Sequence, residues 1–411
     1  MLIFSACSSL VLAQEWSTWD NGFLDIHHIQ TGRGNATFCV FPDGTTLLID
    51  AGDTSETHSR TLSSRNTPLL PNRSKTAPEW IIKYIKQYGP RSIKKLDYAL
   101  ITHYHDDHFG EVDSIRLKSE KGNYYLTGIT SVGDALPIKF LIDRGDRYPI
   151  DLRMEQTQSK WFIKDPYHQI KTLKNYWNFI EFNSKNYGLE RQTLEVGRKN
   201  QIRLLYSKGE YVNFEVQNIA ANGIYWLGKG TKTDSIFKQG EYPGENPLSL
   251  SIKISYGSFD YVTSGDLSGV DQHGSTDFDS MESLIAPTIG IVDVATLNHH
   301  GNRDSQNSLY VRTIRPRVWI GQTWSSDHPD NNVLRRILSK KLYPLERDLF
   351  ATAMLPPNRL VLGNIVNKYK AQEGHVVVRV YPGGRFYKVF VFDASQEHHK
   401  IIGDFGPYQS N

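Results

Sequence analysis

Cysteine is scarce, with two in 411 residues. Cys7 lies in the N-terminal apolar segment and Cys39 in the run F-C-V, so removal of that segment leaves one cysteine, a small core residue with no disulfide partner. Without thiolate ligands in number there is no reason to expect a structural cysteine-zinc site. Charge of one sign is also missing: 47 basic and 44 acidic side chains give a net charge of +3. That balance is too mild to argue for a nucleic-acid or membrane partner, and Lys and Arg are scattered rather than set in a basic stripe. Beyond the N-terminus no apolar run reaches the ~18 residues that span a bilayer. No G-x-S-x-G supports serine catalysis, and no repeat of the solenoid kind is present. What remains, 39% hydrophobic and 12% aromatic residues, describes a folded globular protein.

The start, MLIFSACSSLVLAQEW, is apolar up to Ala13 and ends in V-L-A. It reads as a short export signal over residues 1–13, which places the mature protein outside the cytoplasm, secreted or periplasmic. Lipid anchoring at Cys7 through F-S-A-C is the lesser alternative, and a disordered or strand-forming terminus the bland one.

Residues 23–30, 37–40 and 45–50 predict strands separated by the turn signals GRGN and PDG. A polar surface loop is expected over 53–76. Pro78 opens a helix whose Ile81, Ile82, Ile85 and Tyr88 recur at helical spacing until Gly89-Pro90 stops it. The strand LDYALIT (96–102) follows, then FLIDRG from 140. Residues around 145–235 are read as an insertion or cap, helical near TLKNYWNFIEF. Its aromatics Tyr176, Trp177, Phe179, Tyr225 and Trp226 are expected in ordinary core packing, with cleft lining as the alternative. Strands resume at 201–206, 212–219, 248–255 and 259–264. A short helix and VDVATLN occupy 281–297, then VWIGQTW, a helix over 331–342, and the pair HVVVRVY and YKVFVFD. The whole is an α/β domain over 20–395 with a C-terminal tail at 396–411, and its β-then-α order occurs twice.

The stretch ITHYHDDHFGEV carries three of the 14 histidines in six residues directly after an apolar strand. His103 and His105, two apart on the loop leaving the strand, can reach one cation; Asp107 and His108, past the bend, face a second. Imidazole with carboxylate suits zinc, iron or manganese. Two further strands end in polar clusters, YVTSGDLSG with Asp266 and VDVATLNHHGN with His299 and His300. A carboxylate such as Asp266 can bridge two cations about 3.5–4 Å apart. Each cluster alone is weak; three at strand ends in one chain are not.

In order along the chain, IHHIQTGRGNATFCVFPDGTTLLIDAGD, THYHDDH, ENPLSLSI with SGD, LNHHGN and SSDHP resemble the metallo-β-lactamase superfamily, in its ComEC/Rec2-like hydrolase branch, which is similar to pneumococcal phosphorylcholine esterase. The resemblance implies the αββα four-layer sandwich and two divalent cations, zinc first with manganese or iron as alternatives. It implies that His103 and His105 hold one cation, Asp107 and His108 the other, with Asp266 bridging and His300, or else its neighbour His299, completing the second site. The family's further histidine has no clear counterpart: His168 reads as a surface residue, so the first site has few protein ligands. Asn35 stands where the branch prefers Asp. Asp50 is expected to fix the tautomer of a ligand histidine, with a turn-forming role the alternative. Asp107 would also orient the attacking hydroxide, and His328 would contact an oxyanion or protonate the leaving group. The expected function is an exported metal-dependent hydrolase of phosphodiesters, whether nucleic acid or a choline-phosphate ester, so the partner is a small or polymeric ester. A lactone or β-lactam hydrolase is the runner-up within the enzymes. A non-catalytic envelope-associated binding protein on the same fold is the rival outside them.

Overall fold

The computed structural model describes residues 16, 18–158, 170–207 and 209–411. The expected signal at 1–13, Cys7 and His168 lie outside the described residues.

Strands β1 (Leu24–His28), β2 (Thr37–Val40), β3 (Thr46–Ile49), β4 (Leu96–Leu100), β5 (Ile138–Asp143) and β6 (Glu190–Thr193) begin one sheet. Strands β7 (Phe214–Ala221), β8 (Ile224–Trp226), β9 (Thr233–Ser235), β10 (Ser251–Tyr256), β11 (Phe259–Thr263), β12 (Val294–Thr296), β13 (Val318–Gly321), β14 (Asp348–Ala351) and β15 (Tyr369–Ala371) form the other. The chain then returns through β16 (His375–Val380), β17 (Phe386–Phe392) and β18 (Ile401–Gln409) to the first sheet, ordered β18-β17-β16-β1-β2-β3-β4-β5-β6. The helices are α1 (Ser59–Leu62), α2 (Ala77–Tyr88), α3 (Asp106–Phe109), α4 (Gly128–Ala135), α5 (Ile170–Tyr187), α6 (Met281–Ile289), α7 (Ser308–Ile314), α8 (Asn331–Ile337) and α9 (Pro356–Leu362).

Each sheet starts antiparallel and turns parallel, at β3-β4 in the first and β11-β12 in the second. The repeated β-then-α order in the sequence is this repeat in space. Strands buried on both faces read as continuous apolar runs. In β3, Leu47 and Ile49 face the opposite sheet while Leu48 faces the helices. The inter-sheet layer sets Leu24, Ile26, Cys39 and Leu100 against Ile252, Tyr261, Val318 and Phe350. Helices α2, α4 and α5 cover the first sheet through Ile81, Val132 and Phe179, and α6, α7 and α8 cover the second through Ile285, Val311 and Leu334. This is the αββα sandwich. Helix α2 shows why the local sequence folds: the Thr76 backbone N–H donates to the Glu79 carboxylate at 2.7 Å, and Trp80, Ile81, Tyr84, Ile85 and Tyr88 form one buried face.

Four expectations need correction. The described part of 145–235 is not set apart: α5 crosses between the parallel strands β5 and β6, and its Leu173, Tyr176 and Phe179 are core of the first layer. As expected, these aromatics do not line the cleft: Tyr225 and Trp226 are half-buried and pack on the second layer. Residues 201–206 form no strand, because the amides of Leu205 and Tyr206 are taken by Thr45 Oγ1 and the Asp43 carboxylate in place of a neighbouring backbone. The tail at 396–411 contains β18, an edge strand whose Gly403, Gly406 and Pro407 hide the strand pattern. Finally, the supposed surface loop at 53–76 buries Thr54, Ser55, Thr61, Asn66 and Thr67 and walls the cleft described next.

Candidate metal centre

Chemistry gathers at the carboxyl ends of the parallel strands, where backbone hydrogen bonding stops and loops can aim side chains. β4 delivers Thr102, His103 and His105, and the single turn α3 turns Asp107 and His108 inward. β3 delivers Asp50, β11 delivers Asp266, and β12 delivers His299 and His300. Asp50, His299 and His300 all have positive φ, at 61°, 48° and 55°. Left-handed backbone at a non-glycine residue costs roughly 1–2 kcal/mol, and it persists here because surrounding contacts hold each residue. Gly34 and Gly52 serve the same loop: a Cβ on either would overlap the Asp107 carbonyl, which accepts the Asn35 N–H at 2.8 Å.

Two groups of side chains converge, Asp107, His108, Asp266 and His300 in one and His103, His105 and Asp266 in the other. Asp266 is shared. His300 Nε2 lies 3.0 Å from Asp107 Oδ2 and 3.5 Å from Asp266 Oδ2. His108 Nε2 is 3.2 Å from Asp266 Oδ1, and His103 Nε2 is 3.7 Å from Asp266 Oδ2 and 3.0 Å from His105 Nδ1. Donors about 2.0–2.2 Å from one tetrahedral cation lie roughly 3.3 Å apart, so these spacings suit metal ligands.

The hydrogen bonds behind the ligands fix which nitrogen faces inward. His108 Nδ1–H donates to Asp50 Oδ2 at 2.8 Å, and Asp50 also accepts from the Thr102 amide and hydroxyl, each at 2.8 Å. His300 Nδ1–H donates to the Gln322 carbonyl at 3.0 Å, and His103 Nδ1 faces Ser249 Oγ at 3.2 Å. With Nδ1 engaged, each of these rings presents Nε2. His108 Nε2, His300 Nε2 and Asp266 Oδ1 are buried and make no hydrogen bond. A buried imidazole nitrogen 3.0 Å from a carboxylate needs positive charge between them, which a proton or a metal ion supplies, and the donor set fits a pair of cations. The electrostatics agree. Burial raises the Asp266 carboxyl, but the imidazoles of His108, His300, His299 and His103 outweigh it and hold it well below the carboxylate range. Burial lowers His300, yet Asp266 and Asp107 overcome this and push it up to about 10.

His299 stands outside the four-residue group. Its Nδ1 meets Asp304 Oδ1 at 2.8 Å, and its Nε2 faces Asn246 Nδ2 at 3.1 Å and lies 3.9 Å from Asp266. His328 stacks on His300 with ring centres 4.8 Å apart, and burial together with the His300 ring brings it down to about 3. Both line a cleft of about 390 Å³ above the cage, with Arg60, Arg65, Asn66 and Trp324. Thus the structure brings together His103, His105, Asp107, His108, Asp266 and His300, puts Asp50 behind them, and leaves His299 and His328 at the rim. Sequence reasoning passed over Thr102, Ser249, Asn246, Asp304 and Glu282. Glu282, wholly buried, accepts from Asn298 Nδ2 and the amides of Gln306 and Asn307, tying down the loop that carries both late histidines. The segment ENPLSLSI was the one signal for Ser249.

Asp50→Ala is expected to weaken binding of the second cation about 10- to 100-fold by freeing the His108 tautomer. Zinc competition against a chromophoric chelator reads this directly, and unchanged affinity would return Asp50 to a turn-forming role.

No curated protein matches this chain. The crystal structure of a diphosphatase from the PhnP family aligns with 88% of this chain and 98% of its own, at 11% identity and a TM-score of 0.35. Residues 30–134, from the end of β1 through the HxHxDH loop to α4, match the Metallo-beta-lactamase superfamily model, and the two sheets with their outer helices give the chain that superfamily's fold.

Proposed function

We propose that this protein is a binuclear metal-dependent hydrolase acting on phosphodiesters. One observation carries the reading: two ligand groups share the Asp266 carboxylate at the floor of an open polar cleft. Two divalent cations held there, zinc by preference, would lower the pKa of a water towards neutrality and neutralise charge on a phosphoryl oxygen. In this reading His103 and His105 hold one cation, Asp107, His108 and His300 the other, and Asp266 spans both. The first group has three protein donors, which leaves positions for water and substrate. Asp107, at the boundary of cage and cleft, orients the nucleophile. His328 presents its ring edge to a bound phosphoryl oxygen. His299 is anchored through Nδ1 on Asp304 and, against its burial, held towards its protonated form by Asp266 and Asp304. It lines the cleft beside Asn246 and, as the imidazolium, is placed to hand its Nε2 proton to the leaving alkoxide.

The ComEC/Rec2-like branch is inferred from the order THYHDDH, SGD, LNHHGN and SSDHP, and export from the apolar N-terminus. No described helix is long and apolar enough to cross a membrane.

The test is hydrolysis of bis(p-nitrophenyl) phosphate by protein stripped with chelator and reloaded with zinc or manganese. Turnover that disappears with chelation and returns with metal is expected. Two bound cations without turnover of any ester would instead make this a binding protein, and turnover of a lactone or β-lactam alone would make it an acyl hydrolase.

A further inference from the structure

The cleft walls differ from the cage in what they offer a substrate. One wall is the 60–66 segment. Arg60, on α1, is anchored at 2.5 Å on Asp106, the residue before Asp107, and feels the charge of both. Arg65, just beyond the helix, is 68% exposed and lies 3.4 Å from Asp327. The other wall is the segment Trp324–His328. The walls are stitched together by backbone: Thr67 N–H donates to the Trp324 carbonyl at 2.8 Å and Ser326 N–H to the Arg65 carbonyl at 2.7 Å. The main chain at Arg65 is therefore fixed, Asn66 Nδ2 holds the Arg60 carbonyl at 2.6 Å, and both arginines line the cleft.

Among the described residues, Trp324 is the one Phe, Tyr or Trp that lines the cleft, and its ring meets His300 and His328 edge-on. Recognition of a quaternary ammonium needs aromatic faces from several sides, and this cleft supplies a single ring. Guanidinium forks match phosphate, and an exposed ion pair such as Arg65–Asp327 contributes little and is readily exchanged for a more highly charged anion.

Resting on the phosphodiester reading above, we propose that the substrate carries a second anionic phosphate next to the scissile one, and that Arg65, with Arg60 nearer the cage, receives it. A nucleic-acid strand and a polyol-phosphate polymer share this chemistry.

The experiment compares kcat/KM of the metal-loaded protein for a thymidine dinucleotide with and without a 5′-phosphate, for glycerol phosphodiesters with and without a flanking phosphate, and for p-nitrophenyl phosphorylcholine. The expected result is a preference of about tenfold for the phosphorylated member of one pair, the lower end of what a charged hydrogen bond contributes. The pair that shows it identifies the source. The preference should fall towards unity in Arg65→Gln and shrink in high salt, where exposed charge is screened. Arg65 is exposed, so this variant avoids the risk to folding that Arg60→Gln brings by unpairing Asp106. Equal rates within both pairs, a preference that survives in Arg65→Gln, or faster turnover of the choline ester would overturn the proposal while leaving the diesterase standing. Failure to hydrolyse even bis(p-nitrophenyl) phosphate would remove the function on which it rests.

Discussion

Asp266→Ala is expected to abolish turnover, lowering kcat by three orders of magnitude or more, about 4 kcal/mol of barrier or above. Asp266 is the only side chain common to both ligand groups, and it stands among four imidazoles, so its loss unbalances the whole cage. Metal analysis should read two ions per chain in the wild type and fewer than one in the variant. His299→Ala is the informative companion. Because His300, and not His299, closes on Asp107 and Asp266, the His299 variant should keep both ions while losing rate on substrates with poor leaving groups. Full metal content and full activity in Asp266→Ala would sink the binuclear reading.

The largest effect on stability is expected from Glu245→Ala. The Arg144 and Glu245 side chains are fully buried and paired twice, Nε to Oε2 at 2.9 Å and Nη2 to Oε1 at 2.5 Å. Glu245 also accepts the Tyr104 amide at 3.1 Å, between the two histidines of the first ligand group, and the Tyr242 hydroxyl at 3.3 Å. Removing it leaves the guanidinium against the Tyr104 ring, 4.7 Å away, with long 3.4 Å hydrogen bonds from Nη1 to Asn222 Oδ1 and the Tyr148 carbonyl and no carboxylate to balance its charge. Breaking a buried pair in this way costs about 3–5 kcal/mol, a large share of the ~5–15 kcal/mol that holds a domain folded. Urea unfolding checks the value. The double variant Arg144→Met, Glu245→Leu should recover much of the loss, because an apolar pair leaves no charge without a partner. If the double variant is no better than the single one, the cost lies in packing and not in the stranded charge.

How far the sequence was legible follows from the range of the interactions involved. The HxHxDH loop lies within six residues and depends on one strand and one turn, so its spacing alone points to cations. Helix α2 was equally readable, since capping and apolar periodicity act within a few residues. Strand β18 was not, because Gly and Pro at a sheet edge cost little and leave no alternation. The 53–76 segment misled for another reason: its polar side chains are satisfied inside the protein, as when the Ser55 amide meets Glu111 and Asn66 Nδ2 meets the Arg60 carbonyl.

Local pattern by itself determined that the chain carries strand-end clusters of imidazole and carboxylate, in an order that resembles the metallo-β-lactamase superfamily. Only the tertiary structure decided that His300 joins the cage while His299 turns to Asp304, that Asp50 backs His108, and that arginines line the cleft. Neighbouring residues such as His299 and His300 differ in sequence by a single position, but their φ and ψ point the two rings in different directions. His299 meets Asp304, a near neighbour in sequence, whereas His300 meets Asp107 and Asp266, which distant strand ends supply, and no local spacing encodes that choice.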